Sequence, residues 1–389
     1  MYILEFLLLV GTLFLVYKTL VLTRNRFDFR GLIPRSDYHS TQKVAICIPA
    51  RNEEKSIKKC VLSAIEQTYP NIHVYVLNDR STDQTAKILD QLKKKYPEKL
   101  TVLTGETKQD GWLGKPFACH TIAKDLNEEI LLFVDADTWM EPHAVKSMVY
   151  EMEHRSLSFL TVWPQQHLFS FWENITVPLV YDALIGLLPT AYTERKPRWM
   201  PSFFYKQFKD RFAAACGQCM MFSNIAYNKI GGHASVKQEI VEDVQLARKI
   251  VQNNFQMKMY HGVRSFHCRM YTSYQEIFDG FRKNFFAGFD YNYLLFATMG
   301  VIHLLAYVLP VIILIGGLFL PIPLYVVIPA FLNVGLFVLH HVILATWFRW
   351  LPGFSFLKPI GVLWFQYLGI ITVWDRLTGK KVNWKGDKV

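Results

Sequence analysis

The 389-residue sequence lacks the glycine-rich loops that bind phosphate in many nucleotide-binding proteins. Neither the dinucleotide fingerprint G-x-G-x-x-G nor the P-loop pattern G-x-x-x-x-G-K-[ST] occurs in it. If the protein binds a nucleotide, its phosphates must therefore be held in another way, and a metal ion on a carboxylate is one such way.

Cysteine is scarce, and the spacing of a zinc site is missing. Of six cysteines, Cys216-Gly-Gln-Cys219 forms the single C-x-x-C pair, whereas a structural zinc site needs four ligands. The formal net charge of +11 and a pI near 9.2 could suggest nucleic acid, but no zinc-finger spacing or stacking motif accompanies them. Because the basic residues cluster beside apolar segments, we expect them to attract anionic lipid and expect no nucleic-acid partner.

Charge is almost absent from residues 291–375, and a second apolar block occupies residues 1–17. Hydrophobic residues make up 51% of the chain, and its mean hydropathy is +0.13. This distribution predicts membrane segments on both sides of a soluble domain at 40–290. We predict an N-terminal transmembrane anchor at 1–22, a C-terminal membrane domain at 291–378 and a basic tail at 379–389. Within the membrane domain we expect spans near 298–320 and 323–347 and a third membrane segment at 355–374.

The placement of basic residues predicts the orientation of these segments. No Lys or Arg precedes the first block and no small-x-small cleavage site follows it, which argues against a signal peptide. Lys18 and Arg24 follow the block, Arg282 and Lys283 precede the first C-terminal span, and Arg349 lies between the second and third segments. By the positive-inside rule, the sequence indicates a multi-pass protein of the cell membrane whose soluble domain is cytoplasmic.

The third segment, 355–374, breaks this pattern, because Lys358 lies inside it and a basic tail follows it. Either the segment lies in the membrane interface as an amphipathic or re-entrant element, or the tail is exported. We favour the first alternative.

The soluble domain repeats one pattern three times: an apolar strand, a loop bearing polar or acidic residues, and a helix. The repeats begin at "KVAICIPARNEE", "NIHVYVLNDRSTDQT" and "EILLFVDADTWM", and Ser81 or Thr82 is a candidate N-cap for the second helix. Such repeats predict an α/β fold with a doubly wound, mostly parallel sheet. Ligands bind at the carboxyl ends of such strands, so Asp79, Asp135 and Asp137 should share one edge of the sheet.

Two carboxylates at the end of the apolar run Leu131–Val134 require an explanation. In an extended chain, alternation directs Asp135 and Asp137 to the same side, and ionised carboxylates near a core need a cation or hydrogen-bond donors. A divalent cation bridging phosphates, or the donors of a nucleoside, would satisfy them. Alternatively, the strand turns at Asp-Ala-Asp and leaves both side chains in water.

Five motifs occur in an order typical of one enzyme family: "IPARNEE", "LNDRSTDQT", "GWLGKPFA", "VDADT" and "IVEDVQLARKI". Over residues 43–290 the chain resembles family 2 glycosyltransferases of the GT-A fold. The flanking apolar segments and "FHCRMYTSYQEIFDGFRKNFF" are most similar to bacterial carotenoid and lipid glucosyltransferases, in particular the 4,4'-diaponeurosporenoate group. The resemblance implies a GT-A domain between membrane helices.

The resemblance also implies roles for individual residues. Asp243 would be the catalytic base, and Asp135 and Asp137 would hold the nucleotide and Mn²⁺ or Mg²⁺. The remaining donor-binding positions would be Pro49, Ala50, Arg51, Glu53, Asp79, Lys115, Arg282 and Lys283. Glu242-Asp243 could instead be only the acidic first turn of an amphipathic helix, and Arg282 and Lys283 could be only positive-inside anchors.

The family resemblance implies a metal-dependent inverting transfer of one sugar, glucose being the expected one, from a UDP-sugar to a lipid acceptor such as a carotenoid. The Gln-x-x-Arg-Trp motif of processive members is missing, so polymer synthesis is disfavoured. A hydroxyl acceptor must lose a proton during attack and needs a base, whereas a carboxylate acceptor is already ionised and needs none. Because the sequence keeps Asp243 as a candidate base, a hydroxyl acceptor is favoured over a carboxyl one. Alternatives are transfer to a glycerolipid or other glycolipid precursor, a polysaccharide synthase subunit, and an inactive nucleotide-sugar-binding scaffold.

Overall fold

The computed structural model describes residues 2–35, 37–384 and 387–388, so part of the predicted basic tail lies outside the described residues. The chain divides into two compact units. The first comprises Met1–Asp28, Leu168–Pro189 and Tyr271–Val389, and the second comprises Phe29–His167 and Thr190–Met270. The first unit thus takes in two stretches, 168–189 and 271–290, that lie inside the predicted soluble domain.

The second unit is built on two sheets. Its strands are β1 Val44–Ala50, β2 Ile72–Asn78, β3 Leu100–Thr104, β4 Ile130–Val134, β5 Thr138–Met140, β6 Phe159–Trp163, β7 Gln165–Gln166, β8 Cys219–Ser223, β9 Met257–His261 and β10 Phe266–Cys268. The larger sheet has the order β3-β2-β1-β4-β8-β6-β9, and β5-β10-β7 form the smaller one. In the larger sheet only β8 runs antiparallel to its neighbours, which confirms the predicted mostly parallel α/β fold.

The helices alternate with these strands and then continue alone towards the C-terminus. They are α1 Tyr2–Asp28, α2 Ile57–Ile65, α3 Thr85–Lys95, α4 Gly114–Ala123, α5 Ala144–His154, α6 Phe171–Leu187, α7 Ser202–Phe208, α8 Asn224–Lys229, α9 Glu242–Gln252, α10 Tyr274–Asn284, α11 Tyr293–His303, α12 Leu309–Gly316, α13 Leu324–Phe348 and α14 Lys358–Thr378. A π-helical segment, Leu304–Val308, joins α11 to α12, and a short antiparallel pair, Asn383–Trp384 with Asp387–Lys388, follows α14.

The core of the second unit lies on both faces of the central strands. Every residue of β4 is buried, as are all but one of β1, because helices cover a parallel sheet on both sides. The predicted N-cap of α3 is wrong. Ser81 and Thr82 instead bind Asn52 of the neighbouring loop, and α3 begins at Thr85, whose backbone N–H donates to Asp83 Oδ1 at 2.9 Å.

The first unit is helical and apolar. Among the described residues, four helical stretches are long and apolar enough to cross a membrane: Ile3–Asp28, Tyr293–Gly316, Leu324–Phe348 and Pro352–Thr378. The predicted third membrane segment falls within the last of them, and its path relative to a bilayer stays a prediction.

A buried ion cluster joins three elements of the first unit. Asp182 Oδ2 of α6 accepts a hydrogen bond from the Lys18 ammonium at 2.5 Å and forms an ion pair with the Lys358 ammonium at 2.9 Å, and Lys18 also donates to the Tyr307 hydroxyl at 2.8 Å. A Cβ at Gly186 would lie 2.6 Å from Lys18 Cε, so a larger residue at this position would displace the lysine side chain. Through this cluster α6, although it lies between two strands in the sequence, contacts α1 and α14 of the first unit.

Candidate active site

The site forms where three parallel strands end. The central strand β1 pairs with β2 on one side and with β4 on the other, so their carboxyl ends lie at one edge of the sheet. Asp79 follows β2 directly, and Asp135 follows β4 directly. The predicted common edge for these acids is therefore present, as expected for ligand binding in open α/β sheets.

Asp79 is buried and carries two arginine partners. Its Oδ1 accepts from Arg80 Nε at 2.9 Å, and its Oδ2 lies 3.5 Å from Arg51 Nη1. The structure thus brings together Arg51 and Asp79, two residues that the family resemblance assigned to donor binding. Arg80 adopts a positive φ of 53°, an uncommon conformation for this residue type that directs its side chain back to the preceding aspartate.

The loops after β1 and β2 are bound to each other. Asn52, also at positive φ, donates its backbone N–H to Ser81 Oγ at 3.0 Å and accepts from the Thr82 N–H at 2.8 Å. The backbone N–H of Glu53 donates to Thr85 Oγ1 at 2.8 Å. Pro49 and Ala50 close β1, and the Ala50 carbonyl accepts from the Asp79 N–H at 2.8 Å. Sequence analysis missed the role of Asn52, which fixes both loops.

Lys115 connects two acidic residues from distant parts of the chain. Its Nζ lies 2.7 Å from Asp135 Oδ1 and 3.1 Å from Glu242 Oε1. Burial acts to lower the pKa of Lys115, but the carboxylates of Asp135 and Glu242 outweigh it and raise the pKa well above the usual value. The ammonium therefore stays charged. The family resemblance implied that Lys115 binds the donor, but it did not predict the pairing of Lys115 with Glu242.

Asp243, the predicted base, lies in the first turn of α9. Its carboxylate accepts the Gly217 N–H at 2.7 Å and the Val244 N–H at 2.8 Å. Burial and the neighbouring Glu242 raise the pKa of Asp243 to about 6, while Lys115 and the two N–H donors act against this rise. Such a carboxylate is ionised at neutral pH and is a stronger base than an ordinary aspartate.

Gly217 is the residue that lets these groups approach each other. A Cβ at this position would lie 3.0 Å from Lys115 Nζ and 3.2 Å from Asp243 Oδ2. Gly217 belongs to the C-x-x-C sequence that we set aside as an unsupported zinc motif. All six cysteines are free thiols, and burial raises the pKa of both Cys216 and Cys219. The residue of this motif that matters for the site is Gly217, because its lack of a side chain leaves space for Lys115 and Asp243.

Asp137 lies in a turn. Residues 135–137 separate β4 from β5, and the Thr138 N–H donates to the Asp135 carbonyl at 3.0 Å, so alternation along a straight strand does not apply here. The predicted straight course through Asp135 and Asp137 is wrong, and the alternative of a turn at Asp-Ala-Asp is present: the chain turns after β4 of the larger sheet and continues as β5 of the smaller one. Both aspartates remain half-buried, and the Thr138 hydroxyl donates to Asp137 Oδ1 at 3.3 Å.

The donor set fits a metal that arrives with a phosphate ligand. In the part of the chain that the structure describes, no three His, Cys, Asp or Glu side chains are grouped to hold a metal ion by themselves. Asp135, which pairs with Lys115, and Asp137 are the two carboxylates that follow β4, and both could contribute to such a site. Mg²⁺ and similar hard cations are commonly held by one or two carboxylates together with substrate phosphates and water.

Arg282 and Lys283 belong to α10 of the first unit. The guanidinium of Arg282 forms a bidentate pair with Asp375, at 2.6 Å from Nε to Oδ2 and 2.8 Å from Nη2 to Oδ1. This partner raises the pKa of Arg282 further and fixes its side chain within that unit. A diphosphate contact by Arg282 or Lys283 stays a prediction.

Comparison with known proteins identifies the family of this domain. Residues 45–231 match the family described as Glycosyl transferase family 2, which confirms the predicted family. Two relatives are named 4,4'-diaponeurosporenoate glycosyltransferase. The one from Staphylococcus haemolyticus is 24% identical over 68% of this chain and 66% of its own, and the one from Staphylococcus aureus is 26% identical over 63% and 61%. The match thus spans less than two thirds of those relatives' length.

A solved structure has the same fold. The mannosyltransferase PcManGT from Pyrobaculum calidifontis, in complex with GDP-Man and Mn²⁺, superposes with a TM-score of 0.54 at 14% identity, covering 96% of this chain and 99% of that one. At this identity the likeness establishes the fold alone. The predicted GT-A architecture, with apolar helices on both sides of the domain in sequence, is confirmed.

Proposed function

We infer that this chain, which carries a glycosyl transferase family 2 domain at residues 45–231, moves one sugar from a UDP-sugar to a lipid acceptor with inversion at the anomeric carbon. The inference rests chiefly on one observation: Asp243 lies next to Gly217 and Lys115, and Lys115 is paired with Asp135 at the carboxyl edge of the sheet. With Asp243 as the base, this arrangement supports a single displacement, which requires a base beside the bound donor.

The base is suited to an acceptor that must lose a proton. A hydroxyl attacking the anomeric carbon transfers its proton during bond formation, and a carboxylate with a pKa near 6 can accept it at neutral pH. The two backbone N–H groups that bind Asp243 hold it in a fixed orientation. The departing group is a nucleoside diphosphate, on which negative charge develops.

We assign Asp137, with Asp135, to Mn²⁺ or Mg²⁺. A bound divalent cation would neutralise the negative charge that develops on the diphosphate. Asp79, Arg51 and the loop of Pro49, Ala50 and Glu53 would bind the nucleoside, and Lys115 would hold Asp135 in place. The GDP-Man and Mn²⁺ bound by the mannosyltransferase of the same fold support a nucleotide-sugar and metal assignment.

The acceptor we propose is a carotenoid or a similarly long apolar molecule with a hydroxyl group. The names of the two staphylococcal relatives support a carotenoid, and the four apolar helices support an acceptor drawn from a membrane. The predicted arrangement is a multi-pass protein of the cell membrane whose catalytic domain faces the cytoplasm. A glycerolipid acceptor, or a role as a subunit of a polysaccharide synthase, remains the alternative within the same chemistry.

The test is a donor screen with the purified full-length protein in detergent. We expect hydrolysis of UDP-glucose in preference to other UDP-sugars, dependent on Mn²⁺ or Mg²⁺ and abolished by a chelator. Asp137→Ala should lose this activity and metal-dependent UDP binding while the protein stays folded. Asp110→Ala, a change of an exposed loop aspartate, is the matched control and should leave both unchanged.

Two results would contradict the assignment. Metal-dependent UDP binding that survives in Asp137→Ala would remove this residue from the metal site. Binding of UDP-sugar without any hydrolysis or transfer in the native protein would favour the inactive scaffold, and incorporation of many sugars into one product would favour a polymer synthase.

A further inference from the structure

The second unit carries an exposed aromatic and basic surface on a segment that contributes none of the residues assigned to the candidate active site. It lies in the segment Thr190–Phe212, which includes α7. Four large apolar side chains of this segment are exposed, with Trp199 at 71% and Phe203 at 66% of their full accessible area and Phe204 and Phe208 less so. Soluble surfaces rarely cluster so many aromatic rings, and such patches mark interaction sites.

The segment is ordered by contacts of its own. The Tyr192 carbonyl accepts the Tyr205 hydroxyl at 2.9 Å, and the Tyr192 hydroxyl accepts Trp199 Nε1 at 3.2 Å. The rings of Tyr192 and Phe212 pack edge to face with centroids 5.2 Å apart. Tyr192 therefore ties the beginning, middle and end of the segment together, and the exposed rings are held on a defined platform.

The charges of the segment are sorted by sign. It contains six basic and two acidic residues. Both acids are turned to the rest of the unit, since Glu194 pairs with Lys258 at 2.5 Å and Asp210 accepts from Gln252 at 2.7 Å. The basic side chains exposed on the segment are Arg195, Lys196, Arg198, Lys206 and Arg211. The outer surface is thus cationic and aromatic.

We propose that the Thr190–Phe212 segment docks on the surface of an anionic bilayer. Aromatic rings bury at the level of the headgroups, and Lys and Arg beside them reach the phosphates. The same chain contains four helices able to cross a membrane, so a bilayer is present at high effective concentration. Two copies of this surface would bring like charges together, which disfavours self-association.

The docking can be measured in full-length protein in lipid nanodiscs of phosphatidylcholine and phosphatidylglycerol. Phe203→Cys, carrying a nitroxide, should collide more often with oxygen and less often with a water-soluble nickel complex than the same label at Lys94→Cys. Lys94 is an exposed residue of α3 in the same unit, and the unsubstituted protein gives the background from its six native cysteines. A label at Phe208→Cys repeats the measurement if the first variant is not monodisperse.

The charge contribution has its own variants. Arg198→Gln and Lys206→Gln should each lower the equilibrium constant for docking about fivefold, because a basic residue near an anionic surface is worth about 1 kcal/mol. In nanodiscs of phosphatidylcholine alone, docking of the unsubstituted protein should be weakened about as much as it is by Arg198→Gln and Lys206→Gln together. A label at 203 as open to nickel as the label at 94 would overturn the proposal. A label closed to both oxygen and nickel would also overturn it and indicate a protein partner.

Discussion

Each unit of this protein contains a cluster of lysine and carboxylate side chains, and the two clusters have opposite composition. In the second unit the single ammonium group of Lys115 forms ion pairs with Asp135 and Glu242, and Asp243 lies nearby. In the first unit two ammonium groups, of Lys18 and Lys358, share the single carboxylate of Asp182. The first arrangement has excess negative charge, and the second has excess positive charge.

Exposure separates their roles. The lysine and Asp135 in the second unit are about one third and one quarter exposed, so a donor and a cation can reach them. All three side chains of the Asp182 cluster are almost completely buried. An open cluster with excess negative charge fits a metal-phosphate ligand. A sealed cluster can only hold helices together, and it does so at a high cost in desolvation.

The largest effect should come from removing the base of the open cluster. Asp243→Asn should lower transfer to a hydroxyl acceptor by about 100- to 10,000-fold, because no carboxylate remains to accept the proton. Binding of UDP-sugar should persist, since the amide oxygen can still accept the Gly217 N–H. Steady-state transfer assays and calorimetric titration measure the two quantities.

This variant also decides between the acceptor classes. A carboxylic acid is already ionised near neutral pH and needs no base. If Asp243→Asn forms a sugar ester on a carotenoid acid at the rate of the unsubstituted protein, the hydroxyl proposal is wrong and ester formation is the reaction.

In the buried Asp182 cluster, the loss of protein stability should depend on which charge a substitution removes. Asp182→Asn leaves two buried ammonium groups without a counter-ion, and it should destabilise the protein by about 3–5 kcal/mol. Lys358→Met leaves the pair of Lys18 and Asp182 at 2.5 Å, so it should cost much less. Thermal unfolding in detergent, followed by size-exclusion chromatography, ranks the two variants. Equal losses would show that the cluster does not act through charge balance.

The sequence predicted the open cluster much better than the sealed one. Asp79, Asp135 and Asp137 stand out because acids at strand ends follow a simple local rule, whereas Asp243 was implied by the family resemblance. Lys18 looked like an ordinary positive-inside residue, since nothing local shows that Asp182, 164 positions later, is its partner. Whether two residues so far apart in the sequence form a pair depends on how the helices pack, and the local sequence does not determine this packing.

The same limit applies inside the active site. The order of strands and helices followed from apolar runs and turn residues, whereas the Lys115–Glu242 pair and the contact of Gly217 with Asp243 join segments more than 20 residues apart. The sequence left two alternatives at residues 135–137, a straight strand and a turn, because the change of pairing from β4 to β5 becomes visible only once β8 and β10 are placed.

A smaller effect should follow from changing the charge balance of the open cluster. The pKa of Asp243, near 6, is raised by burial and Glu242 and is held down by Lys115. The acidic limb of kcat/KM, which reports the free enzyme, should therefore fall near pH 6, and activity should be lost as the base is protonated below it. Lys115→Met removes the lowering contribution, so the limb should move to higher pH.

This shift distinguishes an electrostatic role of Lys115 from a merely structural one. A loss of activity at all pH values without movement of the limb would indicate that Lys115 only holds Asp135 in place. Lys124→Met, at the end of α4, is the matched control on the same helix, and it should leave the profile unchanged because Lys124 is exposed.

The smallest effect we expect comes from the glycine between the two functional groups. Gly217→Ala adds a Cβ 3.0 Å from Lys115 Nζ and 3.2 Å from Asp243 Oδ2, so both side chains must retreat by a few tenths of an ångström. The lysine is long and can adjust, but the aspartate is held by two N–H donors at 2.7 Å and 2.8 Å. Because a misplacement of about 1 Å can cost about 100-fold in rate, this smaller displacement should lower kcat by up to about tenfold with little change in KM. Gly353→Ala, where a Cβ meets nothing within 4 Å, is the control for adding a methyl group. An unchanged kcat in Gly217→Ala would mean that Asp243 has more freedom than its contacts indicate, and the comparison with the rigid Asp182 cluster would then rest on charge alone.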